Sequence, residues 1–269
     1  MPKVLNANKR IDMSKYEKRV VAYIDILGFK NMVDASKESD EECERLTGVL
    51  HYISDIVKEY ENDREYIDVE ATMFSDSIVI SYKVCNRYPD VLYYLLEDLW
   101  HIQIDLIEKY KLFLRGGVTI GDLYHKGAII FGPAMNQAYK LESEVADYMR
   151  IIIDQKSIDD FENRHPEYND SEQDTDMKIL RRYIRNEISS LDILNLPENF
   201  TTINGYVTFL KAVKKIIVDN LTHCHNSSNS SNNRVFQKYS KLKDYFNDIL
   251  CKQKLKSLSE QEYIDLHIA

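Results

Sequence analysis

A short apolar run near the N-terminus carries a single acid, and no other feature constrains the fold as strongly. Residues 19–27 (RVVAYIDIL) are mostly β-branched or otherwise apolar, which predicts a buried strand with Asp25 near its carboxyl end. An ionised carboxylate in a low-dielectric interior is unfavourable unless a cation stabilises it. The run therefore predicts a cation beside Asp25, either in a structural ion pair or in a metal site.

A second aspartate lies in a segment typical of a β-hairpin. Residues 67–82 (IDVEATMFSDSIVISY) contain two strand patterns around a polar turn, so Asp76 is expected at the hairpin tip. One buried acid is more often a structural ion pair than a ligand. Two acids brought side by side have the arrangement that bridges a pair of hard divalent ions against a triphosphate.

The order of the predicted elements indicates an α+β fold. Strand patterns occur at 19–27, twice within 67–82, at least twice within 112–132 and at 150–154, and helical patterns at 28–37, 40–61, 89–111 and 134–146. The resulting order βααββαββαβ is typical of a sandwich with a central, mostly antiparallel sheet flanked by helices, because hairpins interrupt the helix alternation. A doubly wound parallel sheet is disfavoured for the same reason.

The sequence changes character beyond about residue 165. Helical patterns are predicted near 175–190, 203–223 and 235–255, and the low-complexity stretch 226–233 (NSSNSSNN) predicts a mobile loop. We expect residues 1–165 to form a core and residues 166–269 a helical C-terminal extension. The extension is expected to pack on the core or on a dimer contact.

Composition excludes several classes of protein. The chain has 44 acidic and 35 basic residues, a net charge of −9, which argues against binding a nucleic-acid polymer. No apolar run approaches the roughly 20 residues that span a bilayer, and the polar N-terminus lacks a signal-peptide pattern. The four cysteines are far apart and show no metal-type spacing. These features predict a soluble cytoplasmic protein without membrane contact.

Four blocks of the sequence resemble the class III adenylyl and guanylyl cyclases. Residues 24–29 (IDILGF) are similar to the family's first metal-binding strand, and residues 74–76 (FSD) to its Gly-Asp hairpin tip, with Ser75 in place of glycine. Residues 115–121 (RGGVTIG) with Phe131-Gly132, and residues 136–140 (NQAYK), parallel two further blocks. The blocks occur in the family's order and cover about residues 18 to 160.

The resemblance implies a catalytic apparatus with two divalent ions, Mg²⁺ or Mn²⁺. The implied metal ligands are Asp25, Asp76 and the carbonyl oxygen of Ile26. The implied phosphate contacts are the backbone amides of Leu27, Gly28 and Phe29 and the side chains of Arg115 and Arg150. In this family no protein nucleophile is needed, because the ribose 3′-hydroxyl attacks the α-phosphorus.

Two further residues imply a dimer. Asn136 is similar to the residue that orients the ribose, and Lys140 stands where the family usually has an arginine at the α-phosphate. In the family these two come from the subunit opposite the metal aspartates. The resemblance therefore implies a head-to-tail homodimer with two equivalent sites.

The base-reading positions depart from both purine patterns. Thr72 and Ile129 stand where adenylyl and guanylyl cyclases carry charged or polar side chains, and Tyr124 and His125 are candidate base contacts by position. Together with the helical extension, this resembles the bacterial pyrimidine cyclases of Pycsar anti-phage defence. The implied substrate is UTP or CTP, and a separate cyclic-nucleotide-binding effector would read the product.

Two other interpretations stay open at this stage. This chain has Ser75 where the family usually has glycine, and Lys140 where it usually has arginine. These two replacements favour a catalytically inactive cyclase-homology module that dimerises or senses nucleotides. The shared two-metal chemistry also leaves a polymerase-like palm, although that fold usually shows an acidic doublet at the hairpin and this chain has Ser75-Asp76-Ser77.

Overall fold

A computed structural model describes most of the chain. The described residues are 16–62, 68–85, 91–164, 184–185, 190–191, 194, 200–225, 230–254 and 258–269. Up to residue 154 the elements follow the order βααββαββαβ that the sequence predicts. No helix within these ranges is long and apolar enough to cross a membrane.

One sheet forms the centre of the molecule. Its strands are β1 (Glu17–Ile26), β2 (Val69–Phe74), β3 (Ser77–Lys83), β4 (Leu114–Lys126), β5 (Ile129–Phe131), β6 (Ile151–Ile153), β7 (Ile184–Arg185) and β8 (Ser190–Leu191). They are ordered β2-β3-β1-β4-β6-β8-β7, with β5 on β4, and only the β4–β6 pair is parallel. The predicted α+β fold with a mostly antiparallel central sheet and flanking helices is confirmed.

Helices cover the sheet and continue through the C-terminal part. They are α1 (Phe29–Ala35), α2 (Asp40–Asn62), α3 (Val91–Asp105), α4 (Pro133–Lys140), α5 (Gln155–Arg164), α6 (Ile203–His225), α7 (Ser230–Lys254) and α8 (Glu260–Leu266). Single π-helical turns, Leu106–Tyr110 and Leu141–Val145, follow α3 and α4. The second of these turns contributes to the site described below.

The two faces of the sheet pack against different partners. Along β1, alternate residues from Val20 to Ile26 join the main hydrophobic core, whereas Val21 faces α4. The main core also contains fully buried side chains of α6 and α7, among them Phe209 and Phe246. The C-terminal helices and the sheet therefore share one hydrophobic core.

Two predicted features beyond residue 165 are wrong where the structure describes them. Residues 184–185 and 190–191 form strands, not the helix expected near 175–190, because β8 pairs with β6 and extends the sheet. The loop predicted at 226–233 ends by residue 230, where α7 begins, while residues 226–229 lie outside the described part. Serine and asparagine are weak helix formers, and the long apolar face that follows them in α7 compensates for this.

Glycines on β4 allow α4 to lie close to the sheet. A Cβ added at Gly117 would lie 2.5 Å from Leu141 Cβ and closer still to the carbonyl oxygen of Ala138. At Gly116, an added Cβ would lie 2.5 Å from a methyl carbon of Ile24 on β1. The absence of side chains at these positions sets the distance between α4 and the end of β1.

Candidate active site

Asp25 and Asp76 lie side by side at one end of the sheet. Asp25 is the second-last residue of β1 and pairs in register with Ser77, the first residue of β3. The backbone N–H of Ile26 donates to the carbonyl oxygen of Asp76 over 3.3 Å, and the Asp76 carboxyl group lies close enough to that of Asp25 to raise the pKa of Asp25. The hairpin tip is thereby held against the end of β1.

Backbone geometry explains why a glycine suits the hairpin tip. Ser75 has φ of 57°, the left-handed region that costs a residue with a Cβ about 1 to 2 kcal/mol. Serine tolerates this region better than a β-branched residue does. The two-residue turn that holds Asp76 is therefore formed with Ser75 at some cost in stability.

Arg115 is the counter-ion of Asp25. The two residues are paired across β1 and β4, and Arg115 Nε and Nη2 each lie 3.1 Å from Asp25 Oδ2. Arg115 Nη2 also lies 2.6 Å from Oε1 of Glu142, whose side chain is almost fully buried. One guanidinium thus faces two carboxylates, with the Asp76 carboxylate beside them.

The surplus of acids changes the protonation of the site. Burial raises the pKa of Asp25 to about 7, and the hydrogen bond with Asp76 and the nearby carboxylates add to the effect, while Arg115 opposes it. Burial also raises the pKa of Glu142, again against the opposing charge of Arg115. Neighbouring buried carboxylates repel one another when they are all ionised. A bound cation reduces this repulsion and so stabilises the ionised forms.

These residues fit divalent ions as a partial ligand set. Asp25 and Asp76 offer adjacent hard oxygen ligands, which suit Mg²⁺ or Mn²⁺. Among the described residues, no group of three or more His, Cys, Asp or Glu side chains is placed to hold an ion. The remaining ligands would come from the Ile26 carbonyl, from water and from a bound phosphate group.

A cleft of about 1100 Å³ opens beside the two aspartates. Seven of the predicted site residues line it: Asp25, Ile26, Leu27, Gly28, Phe29, Asp76 and Arg115. Helices α1, α2, α6 and α7 provide further parts of its wall. The cleft is large enough for a nucleotide, since small-molecule sites occupy about 300 to 1,000 Å³.

The backbone at the start of α1 offers fewer amides than the resemblance implies. The N–H of Leu27 already donates to the carbonyl oxygen of Phe113 over 2.8 Å. Gly28 follows with φ of 88°, and α1 begins at Phe29. Because the first amides of a helix lack partners within it, the N–H groups of Gly28 and Phe29 have no acceptor inside α1.

Three other predicted residues lie away from this cleft. Asn136 and Lys140 are exposed on α4, where the Lys140 ammonium lies 3.9 Å from the Glu144 carboxylate. Arg150, predicted as a phosphate clamp, donates to the carbonyl oxygen of Val145 and to Asp147, each over 3.0 Å. Within one chain, the structure does not bring these side chains to Asp25.

The candidate base contacts also lie outside the described cleft wall. His125 is buried, and its ring nitrogens lie 2.8 Å from the hydroxyl oxygens of Thr72 and Ser81. Tyr124 stacks on Phe131, whereas the side chain of Ile129 is exposed. The structure thus joins Thr72 to His125, and neither residue lines the cleft beside Asp25 and Asp76.

Sequence reasoning missed several charged residues at this site. Glu142 contacts Arg115, and Arg234 and Lys238 of α7 line the cleft. The only local signal for Glu142 is its place shortly after the 136–140 block. For the α7 residues the helical pattern predicted a buried face but not where that face packs.

Comparisons with known proteins give a distant structural likeness. No protein-family model matches the chain. No curated protein matches it either. Among solved structures, the chain is similar to a class III adenylyl cyclase-like ATP-binding protein from Pseudomonas aeruginosa, with 15% identity and a TM-score of 0.39. The match covers 88% of this chain and 48% of that one, so the chain spans about half the length of that structure.

Proposed function

We propose that this chain is a nucleotidyl cyclase that converts UTP or CTP to the 3′,5′-cyclic mononucleotide and pyrophosphate. The observation that carries the proposal is the pair of neighbouring carboxyl groups of Asp25 and Asp76 on the wall of a nucleotide-sized cleft. The four sequence blocks that resemble class III cyclases support the same reaction. A structural ion pair alone would not need the second acid.

The residues of the cleft divide the chemistry between them. Asp25, Asp76 and the Ile26 carbonyl would hold two Mg²⁺ or Mn²⁺ ions, which supply Lewis acidity at the 3′-hydroxyl and at the leaving pyrophosphate. Arg115 presents a planar fork of donors beside Asp25 that suits phosphate oxygens. The Gly28 and Phe29 amides lie at the same end of the cleft. These groups bind and orient the triphosphate.

The reaction itself is a single displacement. The 3′-oxygen forms a bond to the α-phosphorus, the bond from that phosphorus to the oxygen bridging to the β-phosphate breaks, and pyrophosphate leaves. The proton of the 3′-hydroxyl passes to solvent. The attacking and leaving oxygens must be in line with the α-phosphorus. Positioning of the triphosphate by the metal ligands and the phosphate contacts therefore contributes most of the acceleration.

A head-to-tail homodimer would complete this site. Asn136 and Lys140 are exposed on α4, so a second chain can receive them. Large apolar side chains also stay exposed near them and at the hairpin tips: Phe74 at 43%, Ile129 at 60%, Phe131 at 50% and Tyr139 at 52%. Aromatic side chains of this kind are enriched at interfaces, so these positions are available to a second chain.

The biological role follows from the resemblance to Pycsar cyclases. The cyclic pyrimidine nucleotide would act in the cytoplasm as a second messenger in anti-phage defence. A separately encoded effector that binds cyclic nucleotides would read it.

The decisive experiment is incubation of the purified protein with each of the four triphosphates and Mn²⁺, with products identified by mass spectrometry. We expect a cyclic mononucleotide from the wild-type chain and none from Asp25→Ala or Asp76→Ala, with an unchanged circular dichroism spectrum. Asp55→Ala is the matched control, because Asp55 is exposed on α2 and pairs only locally with Lys58. Substantial turnover by either site variant would reject the two-metal assignment.

In the same assay we expect UTP or CTP, with UTP slightly favoured, to react well ahead of ATP and GTP. A purine base carries exocyclic amino or carbonyl groups that need hydrogen-bond partners. Leaving such a polar group unpaired in a desolvated pocket costs about 1 to 3 kcal/mol. The residues at the base-reading positions lie outside the cleft of their own chain, so in the proposed dimer the second chain would supply them. Among them, Ile129 offers no polar group, and the Thr72 hydroxyl already bonds to His125 and to the Gly127 carbonyl. Equal or better turnover of a purine would reject pyrimidine selectivity alone. No product from any triphosphate would favour the inactive module.

A further inference from the structure

The cleft beside Asp25 is basic although the chain is acidic. Its lining has six Lys or Arg side chains, Lys30, Arg45, Lys111, Arg115, Arg234 and Lys238. It has four acidic ones, Asp25, Asp34, Glu42 and Asp76. The chain as a whole has 44 acidic and 35 basic residues, so positive charge is concentrated at this cleft. Such a local field favours an anionic ligand.

Two of these cations come from a single face of α7. Arg234 and Lys238 are four residues apart, which places them one helical turn apart on the same side. Lys238 is half-buried, and its electrostatic neighbours include Arg115, Asp25 and Glu142. Burial and the charge of Arg115 both lower the pKa of Lys238. Lys238 therefore belongs to the same charged cluster as the metal aspartate.

Hydrophobic packing anchors the helix that carries these two side chains. Tyr239, next to Lys238, is buried against Phe113, and Leu242 and Phe246 lie in the main core. Lys241 also forms an ion pair with Asp147, in the loop between α4 and β6. A helix anchored in this way keeps the backbone of Arg234 and Lys238 beside the cleft.

We propose that Arg234 and Lys238 bind the β- and γ-phosphates of the substrate, so that the C-terminal helices are part of the active site of their own chain. This inference rests on the proposed function. Arg115 faces two carboxylates, and Arg150 is bonded to Asp147 outside the cleft. The α7 cations line the cleft beside Asp25, where terminal phosphates need positive charge.

The test measures binding of inorganic tripolyphosphate to the metal-free protein by titration calorimetry. We expect Lys238→Gln and Arg234→Gln each to weaken binding about tenfold, the size of one charge-assisted hydrogen bond. Lys238→Arg should bind within about threefold of wild type because it keeps the charge. Lys252→Gln is the matched control, since Lys252 is exposed on the same helix and outside the cleft lining. It should leave the affinity unchanged.

The outcomes separate this inference from the proposed function. If wild type binds tripolyphosphate and both glutamine variants bind it equally well, or if wild type does not bind it, the α7 assignment is rejected even where cyclisation is observed. If the variants bind about tenfold more weakly but wild type makes no cyclic nucleotide, the phosphate site stands and the cyclase reaction does not. Equal weakening by Lys252→Gln would show a non-specific charge effect and would also reject it.

Discussion

At the scale of single residues, the site depends on acids that a few cations only partly neutralise. Asp25 lies next to Asp76, and both share the neighbourhood of Glu142. Arg115 is bonded to Asp25 and contacts Glu142, so one positive charge faces more than one negative charge. Burial raises the pKa of Asp25 to about 7, and this surplus of negative charge adds to the effect against the opposing charge of Arg115.

Ser75 gives a residue-scale prediction about stability. Because its φ is 57°, a β-branched residue should be strained there and glycine should not. We expect Ser75→Val to have a free energy of unfolding about 1 to 2 kcal/mol below that of Ser75→Gly. Urea unfolding followed by circular dichroism measures the difference. Equal stability of the two variants would contradict the left-handed turn.

At the scale of elements, the contact between α4 and β4 positions both halves of the proposed chemistry. Helix α4 carries Asn136 and Lys140 on its exposed side, and the π-helical turn after it carries Glu142 toward Arg115. Gly117 lets this helix approach the strand. A change in the distance between α4 and β4 would move Asn136, Lys140 and Glu142 together.

Substitution of Gly117 tests this element-scale contact. Gly117→Ala places a methyl group 2.5 Å from Leu141 Cβ, so we expect about 1 to 3 kcal/mol of destabilisation and a clear loss of turnover. Gly121→Ala is the control on the same strand, because its Cβ would lie at an ordinary 3.5 Å from Ala134 Cβ. Urea unfolding and the cyclisation assay give the two readouts. Equal effects of the two changes would contradict the proposed role of Gly117.

At the scale of the whole molecule, a shared core joins the C-terminal helices to the sheet. The buried side chains of α6 and α7 pack in the same cluster as those of β1 and α3. Strand β8 adds to the sheet through its pairing with β6. The wall of the cleft consequently contains residues from both the N-terminal and the C-terminal parts of the chain.

Mixing experiments test how two chains would assemble the site. Mixed Asp25→Ala and Asn136→Ala chains should regain up to about a quarter of wild-type turnover, because about half of the randomly formed dimers are heterodimers and each of these holds one intact site of two.

The same mixing distinguishes the position of Lys238. The Lys238→Gln chain should be complemented by the Asn136→Ala chain but not by the Asp25→Ala chain, since Lys238 and Asp25 belong to one chain's cleft. Turnover after subunit exchange, checked by mass spectrometry of the dimers, is the measurement. Exchanged mixtures that stay inactive would reject the head-to-tail arrangement.

The sequence by itself determined what depends on near neighbours. The apolar run around Asp25, the turn at Asp76 and the order of strands and helices to residue 154 are set by side-chain periodicity and turn chemistry. These local signals sufficed for the fold class. They also predicted the positions of the two aspartates, because an acid inside an apolar strand and an acid in a hairpin turn are both local features of the sequence.

Only the tertiary structure decided which distant charges meet at the cleft. Asp25 and Arg115 are 90 positions apart, and neither residue's neighbours specify the bond between them. Glu142 and Lys238 reach the same cluster because α4 and α7 dock on the core, whereas Arg150 is bonded to Asp147. Hydrophobic packing sets these positions and is not directional, so a helical pattern shows that a face is buried but not what it is buried against.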